Sequence, residues 1–98
     1  MKKINLGQKD IIHFVGIGGI GMSGLAQVMK NMGFKIQGSD QSKNKNIISC
    51  SKLGIKIFIG HSSNNVKRAT IVVKSTAIKN NNTELKYAKK NKIPIYSR

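Results

Sequence analysis

Residues Ile11 to Ala26 limit the fold of this 98-residue chain more than any other stretch. Ile11-Ile12-His13-Phe14-Val15 is an apolar run closed by Gly16, the pattern of a strand buried on both faces. Gly16-Ile17-Gly18-Gly19-Ile20-Gly21 follows at once and carries G-x-G-x-x-G at Gly16, Gly18 and Gly21. Met22, Leu25, Ala26, Met29 and Met32 then recur at helical spacing, and Gly33 stops the helix they define. A buried strand, a glycine turn and an amphipathic helix in succession open a βαβ unit.

The same alternation runs along the rest of the chain. Phe34 to Gly38 reads as a second strand, and Asn46 to Leu53 as a second helix stopped by Gly54. Ile55 to Ile59, Thr70 to Lys74 and Ile93 to Tyr96 read as three more strands. Asn81 with Glu84 three residues on has the form of a capping box, opening a helix that carries Leu85 and Ala88. Gly60 to Ala69 is too short for a full helix and reads as a loop with one turn. This order predicts an α/β, Rossmann-like three-layer domain with a five-stranded, mainly parallel sheet over residues 11–98, preceded by a loose polar segment at 1–10.

Composition bounds the chemistry. Aromatic residues are 5% of the chain with no Trp, so the core must be aliphatic, and the 15 Ile residues are its material. One cysteine cannot form an internal disulfide, and Cys50, among Ile47, Ile48 and Leu53, reads as a half-buried small hydrophobe rather than a nucleophile. Two His and three acidic residues make no zinc cluster, so no metal site is expected. No apolar run approaches the roughly 20 residues of a membrane span, and Met1-Lys2-Lys3 lacks the apolar stretch of a secretory signal. The expectation is a cytoplasmic protein with no membrane partner.

The net charge of +15 invites a nucleic-acid reading. Yet 16 of the 18 basic residues are dispersed lysines, and few aromatics could stack on bases. Ile, Lys and Asn supply 41 of the 98 residues, the mark of an A/T-rich coding sequence that inflates lysine whatever the function. The lysines therefore read as a solvated surface, with no nucleic-acid partner expected, although the field favours an anionic ligand.

In a parallel sheet, ligands bind beyond the carboxyl ends of the strands. After the first strand, the glycine turn and the free amides of the following helix suit a diphosphate. After the second come Ser39 and Asp40: Asp40 is placed to bind a ribose hydroxyl, and either residue equally could cap the second helix. After the third comes His61, a base-stacking or hydrogen-bonding candidate or a bystander. After the fourth, Ser75 and Thr76 could bind sugar or phosphate oxygens or simply form a turn, and Arg98 after the fifth could clamp an anion. No phosphate loop for ATP, paired carboxylates or Ser/His/Asp set is present, so no catalytic residue is assigned and the chain reads as a ligand-binding domain. His13, inside the first strand, reads as a structural histidine. A dinucleotide-binding domain for NAD is the alternative; it leaves Gly60-His61 and Ser75 to Ile78 unexplained.

Ile12 to Ala26 with its doubled Gly18-Gly19 and Met22-Ser23-Gly24, followed by Gly38-Ser39-Asp40, Gly60-His61, Ser75-Thr76-Ala77-Ile78 and Ile93-Pro94-Ile95, resembles the N-terminal domain of the Mur ligases of peptidoglycan synthesis. Among these it looks most like the branch that acts on UDP-N-acetylmuramate, adding L-alanine or, in a related ligase, a recycled tripeptide. The resemblance implies an ATP-dependent enzyme of three domains. The first holds UDP-N-acetylmuramate, a central domain binds ATP and magnesium, and a third helps bind L-alanine; only the first corresponds to this chain, which carries no cofactor of its own. By the same resemblance Gly18, Gly19, Ile20, Gly21 and Met22 would face the diphosphate, and Ser39, Asp40 and His61 the uridine. Ser75, Thr76, Ala77, Ile78 and Arg98 would face the rest of the nucleotide sugar. The second helix departs from the pattern in its Lys and Asn content, and no site residue is carried over from it.

Overall fold

The computed structural model describes residue 7 and residues 9–98. Most of the segment expected to be loose, residues 1–10, lies outside the described residues. The elements run β1 (Ile11–Val15), α1 (Ile20–Asn31), β2 (Lys35–Asp40), α2 (Lys45–Lys52), β3 (Lys56–Ile59), a one-turn 3-10 helix (Ser63–Val66), β4 (Ile71–Lys74), α3 (Thr83–Lys90) and β5 (Ile95–Ser97). The five strands form one sheet in the order β3-β2-β1-β4-β5, and all four pairings are parallel. The chain starts in the middle, builds out to one edge, crosses back over β2 and β1, and builds out to the other.

That reversal decides where each helix lies. Right-handed crossovers leading to opposite edges must use opposite faces of the sheet. Ile12, Phe14, Ile36 and Ile71 point to one face, where Met22, Ala26, Ile47 and Cys50 from α1 and α2 close the larger core. Val15 and Val72 point to the other, against Val66, Leu85 and Ala88. Both cores are largely aliphatic, as the composition requires, with Phe14 in the larger one.

Several boundaries differ from the sequence reading. Helix α1 starts at Ile20 rather than Met22, because its N-cap is the extended Gly19. Strand β2 runs on to Asp40, since Gly38 is a strand residue opposite Phe14 rather than a strand end. Strand β5 starts at Ile95; Ile93, bonded to Ala88 O, packs against the second core from a turn. The cap of α3 is Asn82, whose side chain accepts from Glu84 N, and not Asn81. The Glu84 carboxylate does not turn back to close a capping box; it is buried against the sheet. Cys50 is fully enclosed rather than half-buried, and burial pushes its thiol pKa up.

Candidate functional site

Because β1 and β4 are neighbours whose following segments leave in opposite directions, a crevice opens at their carboxyl ends. Three adjoining hollows run along this edge. The first is lined by Gly19, Ile20, Gly21, Met22, Ser75, Thr76 and Arg98. The second shares Gly19 and Ser75 with it and adds Gly16, Gly18, Asp40, Asn44, Ala77 and Ile78. The third shares Ala77 and Ile78 with the second and adds Gln41, His61, Lys79, Asn81 and Asn82. The edge therefore offers a continuous polar strip from Arg98 to His61. The expected residues after all five strands line this strip, except Ser39.

The glycine turn is shaped by its neighbours. Gly16 has a φ of +83°, and a Cβ there would lie 3.1 Å from Ile78 Cδ1, so a side chain would push the β4 loop away. Asp40 Oδ2 accepts from Gly18 N at 2.8 Å while its Oδ1 accepts from Gln41 N. Asn44 and Asn46 both donate to Gly18 O, at 3.1 and 2.9 Å. The cap of α2 is Asn44, which accepts from Ile47 N; neither Ser39 nor Asp40 caps that helix.

Among the described residues, α1 is the only α-helix of the three with no side-chain cap, and its first turn holds no acidic residue. Its leading amides, which no earlier turn can bond, and the positive end of its dipole face the first hollow. Beside them Arg98 reaches Gly21 O at 3.4 Å and is otherwise exposed. Ser75 forms a turn, accepting from Ala77 N through its hydroxyl and from Ile78 N through its carbonyl, and remains at the hollow's wall. Ile20 is 89% exposed at the same mouth, an apolar side chain with no protein partner.

Ser39 is enclosed, with no exposed surface, and faces inward. Its hydroxyl donates to Glu84 Oε1 at 2.6 Å and lies 3.0 Å from His61 Nδ1. The same Glu84 oxygen takes His13 Nε2 at 2.7 Å, while Oε2 accepts from Ser62 N at 3.0 Å and Asn65 Nδ2 at 2.8 Å. Burial raises the Glu84 pKa, but the hydrogen bonds from His13, Ser39 and Asn65 outweigh it and hold the carboxyl at about 2. His13 is the structural histidine expected of its position.

Sequence reasoning missed Asn44, Asn46, Gln41, Asn81, Asn82 and the carboxylate of Glu84. An Asn directly before a helical run is a cap signal, and Asn44 was legible on that ground. Glu84 was not, because its partners lie 22 and more residues away for three of its four bonds.

The described residues group no three His, Cys, Asp or Glu side chains that could hold a metal, and none of their helices is long and apolar enough to cross a membrane.

Comparison with known proteins follows the same residues. The family model described as "Mur ligase family, catalytic domain" matches residues 11–98. The chain is 62% identical over 96 residues to the UDP-N-acetylmuramate--L-alanine ligase of Pelagibacter ubique, covering 98% of this chain and 21% of that protein. It is 50% identical over 91 residues to the ligase of the same name from Wolbachia sp. subsp. Brugia malayi, covering 93% and 17%. Among solved structures, the UDP-N-acetylmuramate-alanine ligase of Thermotoga maritima superposes with a TM-score of 0.85 at 39% identity, over 89% of this chain and 20% of that one. The UDP-N-acetylmuramate:L-alanyl-gamma-D-glutamyl-meso-diaminopimelate ligase of Neisseria meningitides gives 0.83 at 26% identity, over 90% and 28%. The chain thus spans about a fifth of the length of the curated relatives it matches. With a family model covering residues 11–98, this chain belongs to the Mur ligase family.

Proposed function

We propose that residues 11–98 hold UDP-N-acetylmuramate for an ATP-dependent ligase that joins L-alanine to the muramate carboxylate. The observation that carries this reading is the continuous strip of three hollows between Arg98 and His61, with the uncapped start of α1 along it. A nucleotide sugar is long, with two negative phosphates between a flat base and a sugar. The strip supplies amides and a helix dipole for the phosphates, a guanidinium at one end and a ring with amides at the other. The relatives' names support L-alanine as the amino acid.

These residues bind and orient; they do not transfer. Magnesium-bound ATP would supply the activation of the carboxylate, and the described residues do not fit it: they offer no cluster of metal ligands, and the sequence has no phosphate loop. In this reading those groups are supplied by other parts of a longer protein. An NAD-binding role has less support, because it gives no use to His61 and Ser75 to Ile78, which line the same strip.

The test is a two-dimensional NMR titration of the labelled chain with UDP-N-acetylmuramate, NAD and a short DNA duplex at physiological salt. Shifts confined to Gly18 to Met22, Asp40, His61, Ser75 to Ile78 and Arg98 with the first ligand alone are expected. Equal or larger shifts in the glycine turn with NAD would overturn the reading.

A further inference from the structure

We propose that Glu84 is a positioning residue which, through Ser39, locks His61, a residue lining the ligand strip, in the tautomer that leaves its Nε2 as an unpartnered hydrogen-bond acceptor. The assignment follows from counting protons. Ser39 has one hydroxyl proton, and a carboxylate oxygen at 2.6 Å can only accept it. The Ser39 oxygen, 3.0 Å from His61 Nδ1, must then accept, so Nδ1 carries the proton. Oε2 of Glu84, 3.6 Å from the same Nδ1, favours a proton there as well. The other ring nitrogen, Nε2, is buried and has no hydrogen-bond partner among the described residues.

His13 is set in the opposite sense by the same carboxylate. Gln37 Nε2 lies 2.8 Å from His13 Nδ1 and 2.7 Å from Asn65 O, so its two amide protons go to those two acceptors. His13 therefore carries its proton on Nε2 and gives it to Glu84 Oε1. One buried anion, reached from β1, β2, α3 and the segment after β3, thus fixes two imidazoles in opposite tautomers. Only His61 lines a hollow of the strip.

Nε2 has no exposed surface in the free chain, so it meets a ligand only where the groups over it in the hollow lined by His61 give way; an acceptor uncovered there selects a ligand that brings a donor. Resting on the nucleotide-sugar reading above, the matching group is the ring N–H of uracil. Cytosine presents a lone pair at that ring position and would oppose Nε2.

Two readouts test the relay. Long-range proton–nitrogen NMR of the histidine rings, on the free chain near neutral pH, is expected to show His61 protonated on Nδ1 and His13 on Nε2. In Ser39→Ala, with a native-like amide spectrum, His61 is expected to shift toward the Nε2-protonated form; Glu84→Gln, which also breaks the contacts of His13, is the second variant. Binding is then compared for UDP and CDP. The chain is expected to prefer UDP by roughly tenfold or more, and Ser39→Ala to narrow that ratio, because a His61 free to protonate Nε2 can donate to cytosine. A merely structural Ser39 would weaken both nucleotides and leave the ratio alone. The proposal is overturned if His61 carries its proton on Nε2 in the unaltered chain, or if Ser39→Ala changes neither tautomer nor ratio. If neither nucleotide binds while the tautomers are as stated, the relay stands and the nucleotide-sugar reading falls.

Discussion

Asp40 Oδ2 accepts a hydrogen bond from Gly18 N at 2.8 Å. The acidic residue that ends β2, the position where a dinucleotide fold holds its ribose, is here tied to the glycine turn. Asn44 and Asn46 hold the carbonyl of the same glycine. A Cβ on Gly18 would lie 2.8 Å from that Asp40 oxygen and 3.0 Å from Asn44 Nδ2, so the turn is clamped with no room for a side chain.

Asn44 serves two purposes that substitutions separate. Its Oδ1 caps α2 through Ile47 N, and its Nδ2 donates to Gly18 O. Asn44→Ala is expected to cost about 1 kcal/mol from the lost cap, with more from the untethered turn. Asn44→Asp keeps a capping oxygen but turns an acceptor toward Gly18 O, so it should recover only the share of that stability owed to the cap while UDP-N-acetylmuramate binding stays weakened. Urea unfolding and calorimetric titration of the three chains decide it; an Ala variant as stable as the parent would refute the cap.

Two glycines should respond in opposite directions. A Cβ on Gly38 would lie 2.7 Å from Ile17 Cβ and 2.9 Å from Phe14 O, neither of which can swing aside. Gly38→Ala is expected to destabilise the chain by about 2 kcal/mol or more. A Cβ on Gly24, in the middle of α1, would meet nothing within 4 Å. Gly24→Ala should stabilise by about 0.5–1 kcal/mol, the helix propensity difference. Thermal unfolding of both variants checks the pair.

Gly38 also shows where the sequence stopped being legible. The strands and helices could be read because the hydrophobic period changes at each junction, as from Ile11–Val15 to Met22–Met32. Gly38 looked like the end of a strand by local rules, and only the approach of Ile17 from the neighbouring turn explains it as a strand residue. In the same way, the strand-end rule located Gly18 to Met22, His61, Ser75 to Ile78 and Arg98 on one edge. It could not say that Ser39 faces inward, because its partner Glu84 lies 45 residues further on. Local chemistry is written in local sequence; a buried polar cluster assembled from four elements is not.

The Glu84 cluster makes stability depend on acid pH. Its carboxyl is held at about 2 in the folded chain, below the ordinary 4.5 it would have unfolded. At low pH the unfolded state therefore binds a proton that the folded state does not. The contribution is present in full above about pH 4.5 and is lost as pH falls toward 2, amounting to about 3 kcal/mol. Unfolding free energies measured across that window should fall with decreasing pH. Glu84→Gln, less stable at neutral pH because an amide nitrogen would face donors such as Ser62 N and Asn65 Nδ2, should show a much shallower slope. Equal slopes in the two chains would remove Glu84 as the titrating group.

The Arg98 side chain is exposed and makes one long hydrogen bond, to Gly21 O at 3.4 Å, so the side chain contributes little to the fold. Its place in the first hollow, beside the uncapped turn of α1, gives it a different use: a charge-assisted bond to an anionic oxygen of the ligand. Arg98→Ala is expected to change unfolding free energy by no more than about 0.5 kcal/mol. The same substitution should weaken UDP-N-acetylmuramate by roughly tenfold or more, the value of one such bond. Arg98→Lys keeps the charge but not the planar fork, and should fall between the two. Calorimetric titration of the three chains at low and high salt separates the possibilities. A loss in the Ala variant that shrinks as salt rises marks Arg98 as a ligand contact, whereas unchanged affinity at both salt concentrations would place the anion elsewhere on the strip.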